Sequence, residues 1–188
     1  MIFYLHGFNS SPQSHKAQIL DRYLAQRGLA SQYACPALPP LASQAIREIE
    51  SRLPNGALCF LGSSLGGFYA TYLAEKHGAK AVLINPAINP HLGLRACLGP
   101  QKNLHTGEPY ELTEAHLREW HALQVPRVTP SRYLLLVETG DEVLDYREAV
   151  RHYAGADQVV VQGGDHSLQS FPDHLPRILE FAGLRAGQ

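Results

Sequence analysis

A serine, an aspartate and a histidine occur in this chain in settings that suit acyl chemistry. Ser64 lies in Gly62-Ser63-Ser64-Leu65-Gly66, a G-x-S-x-G pentapeptide. The pattern has a mechanical basis. A nucleophile raised above the end of a strand needs a very tight strand-to-helix turn, and glycines two before and two after the serine leave room for the neighbouring chain. An apolar run from Leu58 precedes the motif, and an apolar stretch through Leu73 follows it. A serine so placed stands at a helix N-terminus, where the amide of Leu65 faces any oxyanion that forms. The competing reading is a structural or phosphate-cradling glycine turn. Against it, Gly66-Gly67 run into Phe68 with no Lys-Ser/Thr, and G-x-G-x-x-G is not met.

Serine is a weak nucleophile at its own pKa and needs a base within hydrogen-bond reach. His166 follows Gly163-Gly164-Asp165 after the apolar run Val159-Val160-Val161, and is the expected base. Asp141, in Thr139-Gly140-Asp141-Glu142, is expected to hold the imidazole tautomer and stabilise the imidazolium. Among the ten histidines, His174 is the nearest rival but falls near a helix start. Glu138 at a strand end and Asp145 compete with Asp141, and Asp145 suits a helix cap before Tyr146. The backbone amide of Phe8 is expected to join that of Leu65 as an oxyanion donor. Phe8, Asn9 and Asn85 are the expected substrate-binding residues, while His6 reads as part of a His-Gly turn. His91, His105, His116 and His121 lack H-E-x-x-H or other compact ligand spacing, so no metal site is expected.

These residues need elements to bring them together. Continuous apolar runs predict strands over 2–5, 31–35, 57–61, 81–84, 133–138 and 158–162. Helical spacing predicts helices over 15–27, 41–53, from the pentapeptide to about 77, 146–153 and 172–181, the first capped by Ser14 and ended by Gly28. Residues 88–129 are broken by glycine and proline, with short helical pieces expected over 92–98 and 114–123, near the mouth of a site. Strand and helix alternate throughout, which implies a parallel sheet covered by helices on both faces. In such sheets the site forms beyond the C-terminal strand ends. His6-Gly7-Phe8, Ser64, Asn85, Asp141 and His166 each follow a different strand and so converge there. The chain order Ser, Asp, His is the one expected of α/β-hydrolases.

The chain has 188 residues, with 45% apolar and 18% charged content, and fits one soluble domain over 1–188. A formal charge of −1 carries no footprint for nucleic acid. No apolar span reaches 18 residues, so no integral membrane association is expected. Three scattered cysteines, Cys35, Cys59 and Cys97, form no CxxC pair, and the N-terminus does not read as a signal peptide. A cytoplasmic setting follows from both.

Five blocks carry a resemblance to a known family. They are Tyr4-Leu5-His6-Gly7-Phe8-Asn9-Ser10-Ser11-Pro12, Gly62 to Gly67, Asn85-Pro86-Ala87, Thr139 to Tyr146 and Gly163 to His166. The chain resembles the α/β-hydrolases, and more narrowly the small YqiA-type esterases. The likeness spans the chain and implies a compact α/β-hydrolase fold with about six parallel strands and no large lid domain. It also implies hydrolysis of a small-molecule carboxylic ester or acyl thioester, through a covalent acyl-enzyme and without a cofactor. The family more often has asparagine where this chain has Asp165. Two other readings share these residues: a C–C or other acyl hydrolase on the same triad, and a binding protein that keeps the fold without catalysis.

Overall fold

The computed structural model describes residues 1–104 and 106–185. In chain order the strands are β1 (Ile2–Leu5), β2 (Tyr33–Ala34), β3 (Cys59–Ser63), β4 (Lys80–Ile84), β5 (Gly99–Lys102), β6 (Pro109–Leu112), β7 (Tyr133–Glu138) and β8 (Asp157–Val161). The helices are α1 (His15–Ala25), α2 (Ala42–Ser51), α3 (Leu65–His77), α4 (Pro90–Gly93), α5 (Glu114–Ala122), α6 (Tyr146–His152) and α7 (Leu175–Phe181). Six strands form one parallel sheet in the order β2-β1-β3-β4-β7-β8.

The period-two geometry of a strand explains why these runs are apolar at every position. On one face Phe3, Leu5, Phe60, Leu83, Leu135 and Val137 pack under α2, α3, α5 and α6. On the other, Ile2, Tyr4, Leu61, Val82, Ile84 and Leu136 pack under α1 and α7. β1, β3 and β7 are buried throughout, with the polar Ser63 and Glu138 only at the C-terminal ends of β3 and β7. No described helix is long and apolar enough to cross a membrane.

The differences from expectation have local causes. β2 has only two residues, preceded by a tight 3₁₀ turn at Ala30–Gln32, because it is an edge strand ending just before Pro36. β3 begins two residues later than expected and runs to Ser63, so its last residues belong to the pentapeptide itself. The final helix opens as a 3₁₀ turn, Phe171–His174, before α7. α1 begins at His15 as expected, yet the Ser14 side chain makes no capping bond.

The segment between β4 and β7 differs most. The 92–98 piece is a short α4 followed by a 3₁₀ turn at Leu94–Cys97. After it comes an unexpected antiparallel hairpin of β5 and β6. Gly99-Pro100-Gln101-Lys102 has no strand-like alternation and carries a proline, so nothing in its composition announces a strand. α5 anchors this segment to the body. Its Trp120 is fully buried and donates Nε1–H to the Tyr69 hydroxyl at 2.8 Å. Trp120 therefore serves the framework.

Candidate active site

The loops after β1, β3, β7 and β8 meet at the C-terminal edge of the sheet. Between β3 and α3 the chain turns in one residue, and Ser64 adopts φ 55°, ψ −120°. A positive φ strains any residue with a Cβ, and it persists only where the surroundings over-determine it. Here they do. Ser64 N–H donates to the Ile84 carbonyl at 3.0 Å, and the Ser64 carbonyl accepts from Gly67 and Ala87 at 2.9 and 3.1 Å. Leu65 opens α3, so its N–H has no intrahelical acceptor. Phe8 and Leu65 both line the cavity over Ser64.

The Ser64 Oγ lies 3.1 Å from His166 Nε2. On its other side, His166 Nδ1 faces both Asp141 oxygens, at 3.0 and 2.9 Å. A carboxylate there favours the proton on Nδ1, leaving the Nε2 lone pair toward the serine hydroxyl. Asp141 Oδ1 also accepts the amides of Val143 and Leu144, each at 2.8 Å. Burial pushes the Asp141 carboxyl up. The bonds from His166, Leu144 and Val143 outweigh that and hold it below the ordinary carboxylate value, as an acceptor. The rivals are engaged otherwise: Asp145 caps α6 by accepting the Arg147 amide at 3.0 Å, and His174 bonds Ser170.

The structure corrects two expected substrate contacts. Asn85 is 2% exposed and fully engaged. Its Nδ2 donates to the carbonyls of Asp165 and His166, each at 3.1 Å, and its Oδ1 accepts the Glu138 amide at 3.1 Å. A side chain so committed between two strand ends and a loop has no group left for a ligand. Asn9 sits behind Phe8 at φ 51°. Its Oδ1 accepts the Tyr110 hydroxyl at 2.7 Å, and its Nδ2 donates to Gln101 at 3.4 Å, which ties the Phe8 loop to the hairpin. Phe8 alone of the three lines the cavity. His6 is also engaged, with Nε2 accepting the Leu38 amide at 3.0 Å and Nδ1 beside the Gly7 carbonyl. Among the described residues no group of three or more His, Cys, Asp or Glu is arranged to hold a metal, and His105 lies outside the described residues.

One contributor has no motif to announce it. Glu138, 1% exposed, closes on the loop that carries His166. Its Oε2 accepts the amides of Asp165 and Gln169 at 2.9 and 3.1 Å. Its Oε1 accepts the Ser170 amide and hydroxyl at 2.9 and 2.6 Å. Gly164 is required for this contact, since a Cβ there would fall 2.0 Å from Oε2. Burial raises the Glu138 carboxyl, but the Ser170 hydroxyl and the amides of Ser170, Asp165 and Gln169 prevail and hold it below its ordinary value.

Glu138→Gln is isosteric, yet either amide orientation turns an NH₂ toward backbone N–H donors. It is expected to cost about 1–3 kcal/mol, because even the better orientation, with NH₂ toward Ser170, leaves the Ser170 N–H unsatisfied. The sign with pH follows from the lowered carboxyl. The advantage of Glu138 is complete above the ordinary glutamate value of ~4.3 and is lost as pH falls through the lowered native value. Thermal unfolding of both proteins at pH 7 and at about pH 3 checks this, and a gap that fails to narrow in acid contradicts it.

The cavity above Ser64 has a volume of about 760 Å³. One wall is apolar, with Phe8, Ile88, Leu94, Cys97 and Leu144; the other carries Ser10, Ser14, His15 and Lys16.

A model of an uncharacterised protein family, UPF0227, matches residues 1–183. The chain belongs to the UPF0227 family. A UPF0227 protein of Shewanella sp. strain ANA-3 is 24% identical over 189 residues, covering 96% of this chain and 98% of that one. A UPF0227 protein of Vibrio parahaemolyticus is 25% identical over 193 residues, with the same two coverages, 96% and 98%. Among solved structures, mouse alpha/beta hydrolase domain-containing protein 10 superposes with TM-score 0.68 at 14% identity, covering 95% of this chain and 87% of that one. Est1E from Butyrivibrio proteoclasticus gives 0.69 at 15%, covering 96% and 84%. A monoacylglycerol lipase from Paleococcus ferrophilus gives 0.68 at 15%, covering 96% and 93%. This UPF0227 chain thus has the α/β-hydrolase fold.

Proposed function

We propose that this UPF0227 chain is a serine hydrolase of carboxylic esters or acyl thioesters. One observation carries the reading: Ser64, His166 and Asp141 form a continuous hydrogen-bonded relay, and its Ser64 and His166 line an open cavity. Ser64 Oγ attacks the acyl carbonyl as His166 Nε2 takes its proton. The oxyanion that results is stabilised by the amides of Leu65 and Phe8, each such donor being worth about 10²–10³ in rate. Collapse expels the alkoxide or thiolate, which takes the proton from His166. Water, deprotonated by the same imidazole, then releases the acid and restores Ser64. Asp141 stays ionised throughout and holds the ring. The monoacylglycerol lipase among the structural neighbours agrees with this class of reaction. Three free cysteines suit a reducing, cytoplasmic setting.

The test is to trap the intermediate. Rapid mixing with 4-nitrophenyl butyrate is expected to give a burst of nitrophenolate stoichiometric with protein. Quenched samples should carry one butyryl group on the peptide containing Ser64. Acylation at a different residue, or turnover without any acylated protein, overturns the mechanism.

A further inference from the structure

The polar wall of the cavity contains a cation that the hydrolytic relay does not use. Lys16, in the first turn of α1, is half-buried and lines the cavity together with His166 and Ser167. Its ammonium donates to the Ser167 carbonyl at 2.8 Å. Among the described residues it forms no ion pair; Asp165, Glu138 and Asp141 act on it only through space. An ammonium has three donors, and holding it partly out of water is costly unless a counter-charge meets it. Burial accordingly pulls the Lys16 pKa below the ordinary lysine value.

The helix end around Lys16 has the same sign. α1 is 11 residues long, has no acidic residue in its first turn and receives no side-chain cap from Ser14. Its positive pole therefore carries no acid or side-chain cap of its own, and Ser14 and His15 at that pole line the same cavity. The acidic residues on the cavity, Asp145 and Glu148, belong to the α6 side, and α6 packs on the opposite face of the sheet from α1. Of the charged side chains that line the cavity, the lysine therefore comes from the α1 side and the carboxylates from the α6 side.

We infer that this cavity takes esters or thioesters bearing an anionic group, a carboxylate or a phosphate, and that Lys16 receives that group. The inference rests on the hydrolase reading of the same site. The apolar wall of Phe8, Ile88 and Leu94 receives the hydrocarbon part, and the anion orients the substrate across Ser64.

Matched pairs of esters test it. Phenyl acetate is compared with 4-acetoxybenzoate and 4-acetoxyphenyl phosphate, which put a carboxylate or a phosphate on the leaving side. 4-Nitrophenyl pentanoate is compared with mono-4-nitrophenyl glutarate, which puts a carboxylate on the acyl side. At least one charged ester is expected to exceed its neutral partner about tenfold in kcat/KM, the scale of one charge-assisted hydrogen bond. Lys16→Met should bring that ratio near one, and Lys16→Arg should keep most of it. A wild-type ratio at or below one in every pair overturns the inference. So does a ratio that Lys16→Met leaves intact while both rates fall together, which would make Lys16 a tether to Ser167 and nothing more.

Equilibrium binding separates this from the chemistry. Calorimetry on Ser64→Ala, with and without Lys16→Met, reads the same pairs without turnover. Preferential binding of the charged member that needs Lys16, in a protein whose wild type hydrolyses neither member, would overturn the hydrolase reading and uphold the anion site. Equal binding of both members overturns the anion site.

Discussion

Ser64→Ala is expected to lower kcat on a carboxylic ester by about 10⁴–10⁶-fold while leaving the fold intact. The size of the loss follows from what remains. The amides of Leu65 and Phe8 and the cavity walls survive, so the variant retains binding and oxyanion stabilisation, roughly 10³–10⁴ over water in comparable sites. What disappears is the covalent path, because His166 then has no hydroxyl to deprotonate. A 10⁶-fold loss corresponds to about 8 kcal/mol of transition-state stabilisation. Alanine keeps the Cβ, so the strained φ of 55° is neither relieved nor worsened. The bonds that fix this conformation run through the Ser64 backbone and are untouched. The melting temperature should therefore stay within a few degrees of wild type. Steady-state kinetics on one ester, with a thermal melt of the same samples, checks both halves. A loss of less than tenfold would remove Ser64 from the reaction. A collapsed melt would make the kinetics uninformative, and Ser64→Cys, which keeps a nucleophile of similar size, would then decide.

Gly66→Ala is expected to remove the folded protein. A Cβ at Gly66 would lie 1.9 Å from the Leu5 carbonyl oxygen and 2.8 Å from that of His6. These are backbone atoms of β1 and its exit loop, so no rotamer change relieves the overlap. α3 would have to lift away from the sheet, and its apolar residues with it. Overpacking a core costs about 1–3 kcal/mol where side chains can move. With backbone on both sides the cost should exceed about 4 kcal/mol, which rivals the total stability of many domains. In a chain of this size each kcal/mol is worth about 2–4 °C, so the melt should drop by at least about 8–16 °C if any folded protein is recovered. Gly93→Ala is the control. Gly93 has φ −63°, ψ −41° and nothing within 4 Å of an added Cβ, so alanine there should be neutral within about 0.5 kcal/mol. Similar melts for the two variants would mean that β1 and α3 are not in the contact described.

This steric demand explains why so much was legible in the sequence. A turn that brings α3 onto β1 with no room for a methyl group must be written in glycine, so Gly62 and Gly66 announce it. Strands buried on both faces must be written in continuous apolar residues, and β1, β3, β4 and β7 were readable for that reason. Ser64, Asp141 and His166 come together because each follows a different strand of one parallel sheet, and chain order alone implies the shared edge. The hairpin of β5 and β6 was not readable, since strands held mainly by backbone bonds at the surface need no distinctive side chains. Asn85 was misread for a different reason. An amide at a strand end has the same chemistry whether it meets a ligand or a neighbouring loop, and only the carbonyls of Asp165 and His166 decide between them. Glu138 was weighed as a rival acid, and its hold on four groups of the His166 loop depends on a fold that brings residues 138 and 165–170 together.

The strand order has a consequence for how the molecule is assembled. β4 and β7 are neighbours in the sheet, but the chain between them makes the long excursion over residues 85–132. β1, β3 and β4, with Ser64, lie before it; β7 and β8, with Asp141 and His166, lie after it. Neither part holds more than a fragment of the relay. Closing β4 against β7 is a long-range pairing that must meet its loop entropy before any contact rewards it, which makes it a natural late step in folding. The relay therefore comes into register only when the two halves of the chain have joined. The same seam marks where the polypeptide could be divided into complementing fragments, each inert until it finds the other.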